Sequence, residues 1–407
     1  MINNYKPVII VVGFNRVNPL KRLLSSIALS RCEKDTKLII SLDYAPNNQN
    51  VVDIANNYLW PFGEKQVIVY DENLGLKNHI IKCCDMSQEY GSIIVLEDDL
   101  YVSKDFYTFA KQALNFYADD DQIAGISLYK YPAIERRIHP LPFDPIYDHS
   151  DVHFIQFASS WGQAWTSEQW FDFKKWYISS PDLSKLWGVI PFTVSDWPDK
   201  SWKKYYIAYM VLNDKYFVYP NISLTTNFDD PGTNRRYESF VYQAALKIND
   251  NTSFTFKYLK DSFNIYDAAF EIKPEIIKQF NRSIKGYDFE TDLYGLKRFL
   301  EIRKPYILTT QKSRKPLKTF GRKLKPHEMN VFLNIPGDDI VLARREDVKA
   351  FNQQNIIKYF YKFYDKDLES ILLDFFYFFS LTFRIKFIVK LLFYFILKKI
   401  GFKRFIK

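Results

Sequence analysis

Three consecutive carboxylates, Glu97-Asp98-Asp99, come directly after the apolar run Ile93-Ile94-Val95-Leu96. Three such groups in a buried crevice repel one another. A hard divalent cation with oxygen ligands offsets that repulsion well. The alternative is a solvated acidic turn after a strand. The position at the end of an apolar strand, within a series of similar strands, favours the site. Other polar residues stand at comparable places: Asn15 and Arg16 after Val8–Val12, Asp43 after Leu38–Leu42, and Asn73 shortly after Val67–Tyr70.

The elements that would position these residues alternate. Val8–Val12 is a short β-branched run that reads as a buried parallel strand. Asn18-Pro19 offers a cap and a first-turn proline, and Leu20, Leu23, Leu24 and Ile27 come after it at helical spacing. Leu38–Leu42, Val67–Tyr70, Ile93–Leu96 and Ile123–Leu128 read as further strands. Val51–Trp60, Leu76–Met86 and Phe106–Tyr117 read as helices between them. This order predicts an α/β fold, a mostly parallel doubly wound sheet with helices on both faces. In such sheets ligands bind beyond the carboxyl ends of the strands, so these polar residues converge on one crevice. Pro132–Asp151 reads as a long irregular loop, and Tyr216–Thr225 as one more strand.

Composition sets the outer bounds. The chain has 407 residues, 47% hydrophobic and 25% charged, which is ordinary for a globular protein of two or three units. Its net charge of +9 is unevenly placed. Gln311–Pro326 holds seven Lys/Arg and no acid, and Ile371–Lys407 holds eight against the single acid Asp374, so the remainder is mildly acidic. Local positive charge of this kind fits an anionic membrane surface or a phosphorylated ligand, and no nucleic acid is expected as partner. For Gln311–Pro326 a solvated loop is the preferred reading. Cys32, Cys83 and Cys84 form no disulfide framework or metal spacing, which fits a reducing, cytoplasmic setting. Neither a secretion signal nor an uninterrupted run of about 20 apolar residues is evident.

The motifs Val11-Val12-Gly13-Phe14-Asn15-Arg16, Ser41-Leu42-Asp43, Asn73-Leu74-Gly75-Leu76 and Leu96-Glu97-Asp98-Asp99-Leu100 together resemble the GT-A type nucleotide-sugar glycosyltransferases. The acidic triplet with Val102-Ser103-Lys104-Asp105-Phe106 is similar to N-acetylglucosaminyltransferase I and to bacterial family 2-like enzymes of surface-glycan synthesis. The likeness covers roughly residues 7 to 235. It implies that Phe14, Asn15, Arg16, Asp43 and Asn73 line the pocket of a nucleotide-sugar donor, with UDP as the expected nucleotide. It implies that Glu97 and Asp98 hold sugar and ribose hydroxyls and that Asp99 binds Mn²⁺ or Mg²⁺. Ser160-Trp161-Gly162-Gln163-Ala164-Trp165 resembles the acceptor-side segment, so Trp161 and Trp165 are expected to stack on a saccharide or glycolipid acceptor; Trp170 and Trp176 fit core packing better. An inverting enzyme needs a carboxylate base. The family places it in Ser195–Trp202, with Asp199 first and Asp196 second; either could instead be a turn residue beside Pro198. Asn227–Asn234, with Arg235 and Arg236, would close over the diphosphate or form a surface turn.

The expected organisation is a GT-A catalytic domain over 1–235, an accessory region over 236–370, and a basic aromatic tail over 371–407. The tail holds twelve Phe or Tyr among its basic residues, which suits a segment lying on the inner face of the cell membrane. Two rival readings remain open: a nucleotidylyltransferase, and a non-catalytic sugar-binding protein on the same fold.

Overall fold

The computed structural model describes residues 4–135, 141–179, 181–186, 188–228, 230, 242–248, 252–348 and 380–389. Residues Met1–Phe351 form one compact unit and Asn352–Lys407 a second.

The first unit opens with the expected alternation: β1 (Val8–Gly13), α1 (Val17–Ala28), β2 (Leu38–Leu42), α2 (Gln49–Asn57), β3 (Lys65–Val69), α3 (Gly75–Asp85), the single turn α4 (Ser87–Tyr90) and β4 (Ser92–Glu97). Then come β5 (Leu100–Val102), α5 (Phe106–Phe116), β6 (Ile123–Ser127), β7 (Val152–Ile155), β8 (Gln163–Thr166), α6 (Ser167–Ile178), the short α7 (Phe192–Ser195), α8 (Trp202–Leu212), β9 (Tyr216–Pro220), β10 (Thr225–Asn227) and β11 (Ile265–Tyr266). Among the described residues the main sheet has nine strands, ordered β11-β7-β9-β6-β8-β4-β1-β2-β3. β8 runs antiparallel to both β4 and β6, and β7 antiparallel to β9; the remaining pairs are parallel.

Strand alternation assigns the two faces. Ile9, Val11, Ile40 and Ile94 share a core with Leu20 and Leu23 of α1, Val51 of α2 and Phe106 and Phe109 of α5. Ser41 faces the other way, with its Oγ 2.7 Å from His79 Nε2 on α3. Trp165 lies on that second face, against Trp170 of α6 and Tyr206 of α8. Both faces are therefore covered by helices, as the alternation of elements predicted. Every residue of β1 and β2 is buried. Each such aliphatic side chain contributes about 1.5–3 kcal/mol.

Three expectations are corrected. The first helix starts at Val17 with Arg16 in the cap position, so Asn18 is not the cap; Pro19 sits within the first turn, where a missing N–H costs nothing. The boundary at 235 does not end a domain, because β11 adds to the main sheet beside β7 and the compact unit continues to Phe351. The basic stretch Gln311–Pro326 is not simply a loop. It contains β14 (Pro316–Phe320), an outer strand of a smaller sheet ordered β12-β13-β15-β14, with β12 at Phe289–Asp292, β13 at Tyr306–Thr309 and β15 at Ile340–Arg344. Lys318 lies exposed on that outer strand, where a lysine discourages further pairing.

Candidate functional site

Register brings the ends of the parallel strands level. Gly13 pairs with Leu42, Leu42 with Val69, and Val12 with Glu97. The segments leaving these strands therefore meet at one rim. Phe14 and Asn15 lie in the bend after β1, Phe14 half-buried and Asn15 exposed. Asp43 is buried after β2. Its carboxylate accepts the backbone N–H groups of Tyr44 at 2.9 Å, Leu74 at 2.8 Å and Gly75 at 3.1 Å. Asp43 thus fixes the start of α3, where four N–H groups would otherwise lack partners. Asn73 is exposed, and its Nδ2 donates to the Tyr44 carbonyl at 2.8 Å, tying the loops after β2 and β3 together.

The acidic triplet occupies the tight connection between β4 and β5. Arg16 reaches it from the start of α1. Its Nη2 bonds Asp98 Oδ1, its Nε donates to Asp98 Oδ2 at 3.3 Å, and Nη2 lies 3.2 Å from Asp99 Oδ2. Burial alone would lower the guanidinium's pKa, but the charges of Asp98 and Asp99 override it and hold it above its ordinary value. Burial pushes Asp98 up to about 6 in spite of Arg16. Glu97 is pushed up to about 8, by burial first and then by Asp99 and Asp98, while Arg16 and Lys203 pull it back. This shift favours the neutral carboxyl, which can donate a hydrogen bond. Incoming positive charge would return it to the carboxylate form.

Asp99 Oδ1 is buried and has no hydrogen-bond partner among the described residues. That acceptor suits a hard cation. The same residues contain no grouping of three His, Cys, Asp or Glu side chains that would complete a metal shell unaided. A metal held by Asp99 would draw its other oxygens from a ligand and water.

Sequence reasoning missed the second ion pair at this rim. Arg22 of α1 bonds Asp230 through Nη1 at 3.4 Å and through Nη2, and its guanidinium lies 3.7 Å from the Phe228 ring centroid. Phe228 N–H donates to the Asp99 carbonyl at 3.1 Å, and β10 pairs with β5, so the segment after β10 closes against the triplet. Of the segment Asn227–Asn234, Asn227, Phe228 and Asp230 are described; 229 and 231–236 lie outside the described residues.

The two tryptophans part company. Trp165 is fully buried in the central strand β8, packed between Trp170, Trp202, Tyr206 and Phe217 at ring separations of 5.3–6.3 Å. It cannot stack on an acceptor, and that expectation is withdrawn. A Cβ on Gly125 would meet its indole at 2.5 Å, so a glycine in β6 makes room for the ring. Trp161 is half-buried, with Tyr129 and Tyr242 at 4.8 and 5.5 Å and the Lys203 ammonium 5.5 Å from its ring. Gly162 has φ +91°, and a Cβ there would meet the Thr225 side chain at 2.8 Å; the close approach it permits is to this chain's own β10.

The two base candidates are not enclosed. The Asp199 side chain is 82% exposed and pairs with Lys204 at 3.0 Å; Asp196 is exposed at the end of α7. The structure assembles a different polar cluster instead. Lys203, buried in the first turn of α8, donates to Glu135 Oε2 at 2.7 Å, and Tyr131 OH donates to the same oxygen at 2.9 Å. Phe157, Trp161 and Trp197 surround the ammonium at 4.9–5.5 Å. A lysine inside the aromatic run Trp202–Tyr206, and a lone acid near Pro132, were the available signals in the sequence.

No family model matches the chain, and no curated protein matches it. Solved structures do. TarS of S. aureus is 14% identical, covering 41% of this chain and 29% of that one at a TM-score of 0.30. The mannosyltransferase PcManGT from Pyrobaculum calidifontis, in complex with GDP-Man and Mn²⁺, is 12% identical over 54% of this chain and 58% of its own at 0.32. GalNAc-T7, solved with UDP, GalNAc and Mn²⁺, is 10% identical over 59% of this chain and 45% of its own at 0.36. The chain thus spans less than two thirds of each of these structures.

Proposed function

We propose that this chain is a glycosyltransferase that moves a sugar from a nucleoside diphosphate, UDP in the first instance, to a saccharide hydroxyl. The observation that carries the reading is the acidic triplet at the carboxyl end of β4, Asp98 buried and Glu97 and Asp99 half-buried, with Asp99 Oδ1 left without a donor among the described residues and Arg16 clamped across Asp98 and Asp99. Phe14 and Asn15 would border the nucleotide, with Asp43 and Asn73 holding the loops that frame it. Glu97 and Asp98 would bind sugar and ribose hydroxyls. Asp99 would hold Mn²⁺ or Mg²⁺, which when bound neutralises charge on the departing diphosphate. Arg16 would turn from the carboxylates toward the same phosphates, and Trp161 would meet the acceptor. The reading includes inversion at the anomeric carbon and a place in bacterial surface-glycan assembly, both resting on the family resemblance.

The test is a screen of nucleotide sugars for hydrolysis and transfer with Mn²⁺ present and after thorough chelation. Turnover with one donor, abolished by EDTA and restored by Mn²⁺ or Mg²⁺, is the expected result. Nucleotidyl transfer without sugar release would overturn it.

The C-terminal tail has its own role in this proposal, as a cytoplasmic-side attachment to anionic membrane. Within it, 381–389 is helical, with Ser380 Oγ accepting the Phe383 N–H at 3.3 Å. Leu381, Phe383, Ile385, Phe387, Ile388 and Val389 are exposed there with Lys386, and Arg384 is half-buried. The rest of 371–407 lies outside the described residues. No helix among the described residues is long and apolar enough to cross a membrane. Each basic residue at an anionic surface gains about 1 kcal/mol. Deleting 371–407 is expected to abolish flotation with anionic vesicles at low salt while UDP binding is kept. A truncated protein that still floats, or one that no longer folds, counts against the attachment.

A further inference from the structure

Glu135 lies in the irregular segment after β6, far in sequence from the acidic triplet and from α8. Its side chain is partly open, 21% exposed, while the Lys203 side chain that grips it is 8% exposed. Both polar contacts, from Lys203 at 2.7 Å and Tyr131 at 2.9 Å, fall on Oε2. Among the described residues neither is made to Oε1. Glu135 also lines a small cavity with Phe157, Phe192 and Phe270.

A chain of contacts leads from this cluster toward the acidic triplet. Lys203 Nζ sits 5.5 Å from the Trp161 ring. The Trp161 carbonyl accepts Thr225 Oγ1, and Thr225 is the first residue of β10, which pairs with β5 immediately after Asp99. The charge of Lys203 is felt at Glu97. Asp199, by contrast, projects into solvent and is paired with Lys204.

We infer that Glu135 is the general base of the transfer, with Lys203 and Tyr131 as positioning residues that fix Oε2 and leave Oε1 to the acceptor. The inference rests on the glycosyl-transfer reading of the triplet. In the step, the acceptor O–H proton passes to Oε1. The acceptor oxygen forms the new bond to the anomeric carbon, and the bond from that carbon to the diphosphate oxygen breaks, the electron pair leaving with the diphosphate. An ion-paired glutamate suits this work. Lys203 holds Oε2 in place, and the carboxylic acid forms as the acceptor oxygen becomes bonded to the anomeric carbon.

Glu135→Gln in the full chain tests this, using the nucleotide sugar that wild type turns over. Transfer is expected to fall about 100-fold or more. UDP binding by calorimetry should stay within about twofold and the urea unfolding midpoint should be unchanged. The loss should fall on kcat at saturating acceptor and leave the donor KM little changed. Transfer within about threefold of wild type, or a loss confined to the donor KM, would overturn the assignment. If Glu135→Gln does not fold, Glu135→Asp decides: a carboxylate withdrawn by one methylene should lose about tenfold or more, and an unchanged rate overturns the proposal. A wild-type protein that binds no UDP and turns over no donor overturns both readings, whereas binding with turnover indifferent to Glu135 overturns only this one.

Discussion

Asp99→Asn is expected to lower sugar transfer by about 10³-fold, the scale on which a group aimed at developing charge acts. The fold should survive. The substitution keeps the shape of the side chain, and Arg16 retains its contacts with Asp98 through Nε and Nη2. Asp99 Oδ1 has no hydrogen-bond partner among the described residues, so little structural bonding is lost there. Initial rates at saturating donor with Mn²⁺, beside a urea melt of the same samples, check the point. An Asp99→Asn protein with wild-type turnover, or a wild-type protein fully active in metal-free buffer, would remove Asp99 from the metal and with it the main support for the proposed function. Asp98→Asn should behave differently. Asp98 takes the fork of Arg16, so its loss frees a half-buried guanidinium and disturbs the rim itself.

Trp165→Ala is expected to destabilise the first unit by about 3–5 kcal/mol, the usual cost of emptying a buried tryptophan site. The ring is fully buried and touches Trp170 of α6, Trp202 and Tyr206 of α8, and Phe217 of β9. A Cβ at Gly125 would meet the indole at 2.5 Å, so the ring fills the space beside this glycine. A urea or thermal melt should show the loss, with the acceptor KM of any remaining folded enzyme little changed. An unchanged melting midpoint with a selectively raised acceptor KM would restore the acceptor role that the sequence suggested. Trp161→Ala makes the useful contrast, since that ring is half-buried beside Lys203.

These two residues mark where local pattern stops being informative. Asp99 is legible because its setting is local. An apolar run of strand length ends, and the chain turns with three acids in a row. Trp165 is not, because Gln163–Thr166 is only four residues long and carries no alternation. Its burial comes from insertion between β4 and β6, antiparallel to both, with helices over each face. A cap signal was present nearby: Thr166 and Gln169 form a capping box at the start of α6. Combined with the apolar residues before it, that signal would have ended a strand at Thr166.

The sequence by itself determined the alternation of strands and helices through Phe116, the polar residues at the strand ends, and the acidic triplet at one of them. Hydrophobic periodicity and short-range turn chemistry decide such features within a window of a few residues. Only the tertiary structure decided which charges meet: Arg16 with Asp98 across 82 positions, Arg22 with Asp230 across 208, and Lys203 with Glu135 across 68. It also decided that Asp43 serves backbone amides, that Trp165 is core and that Asp199 faces water. An ion pair, a desolvated carboxylate or a buried ring is a property of the space between elements. That space is set by how the sheet orders its strands, which no local run of residues encodes.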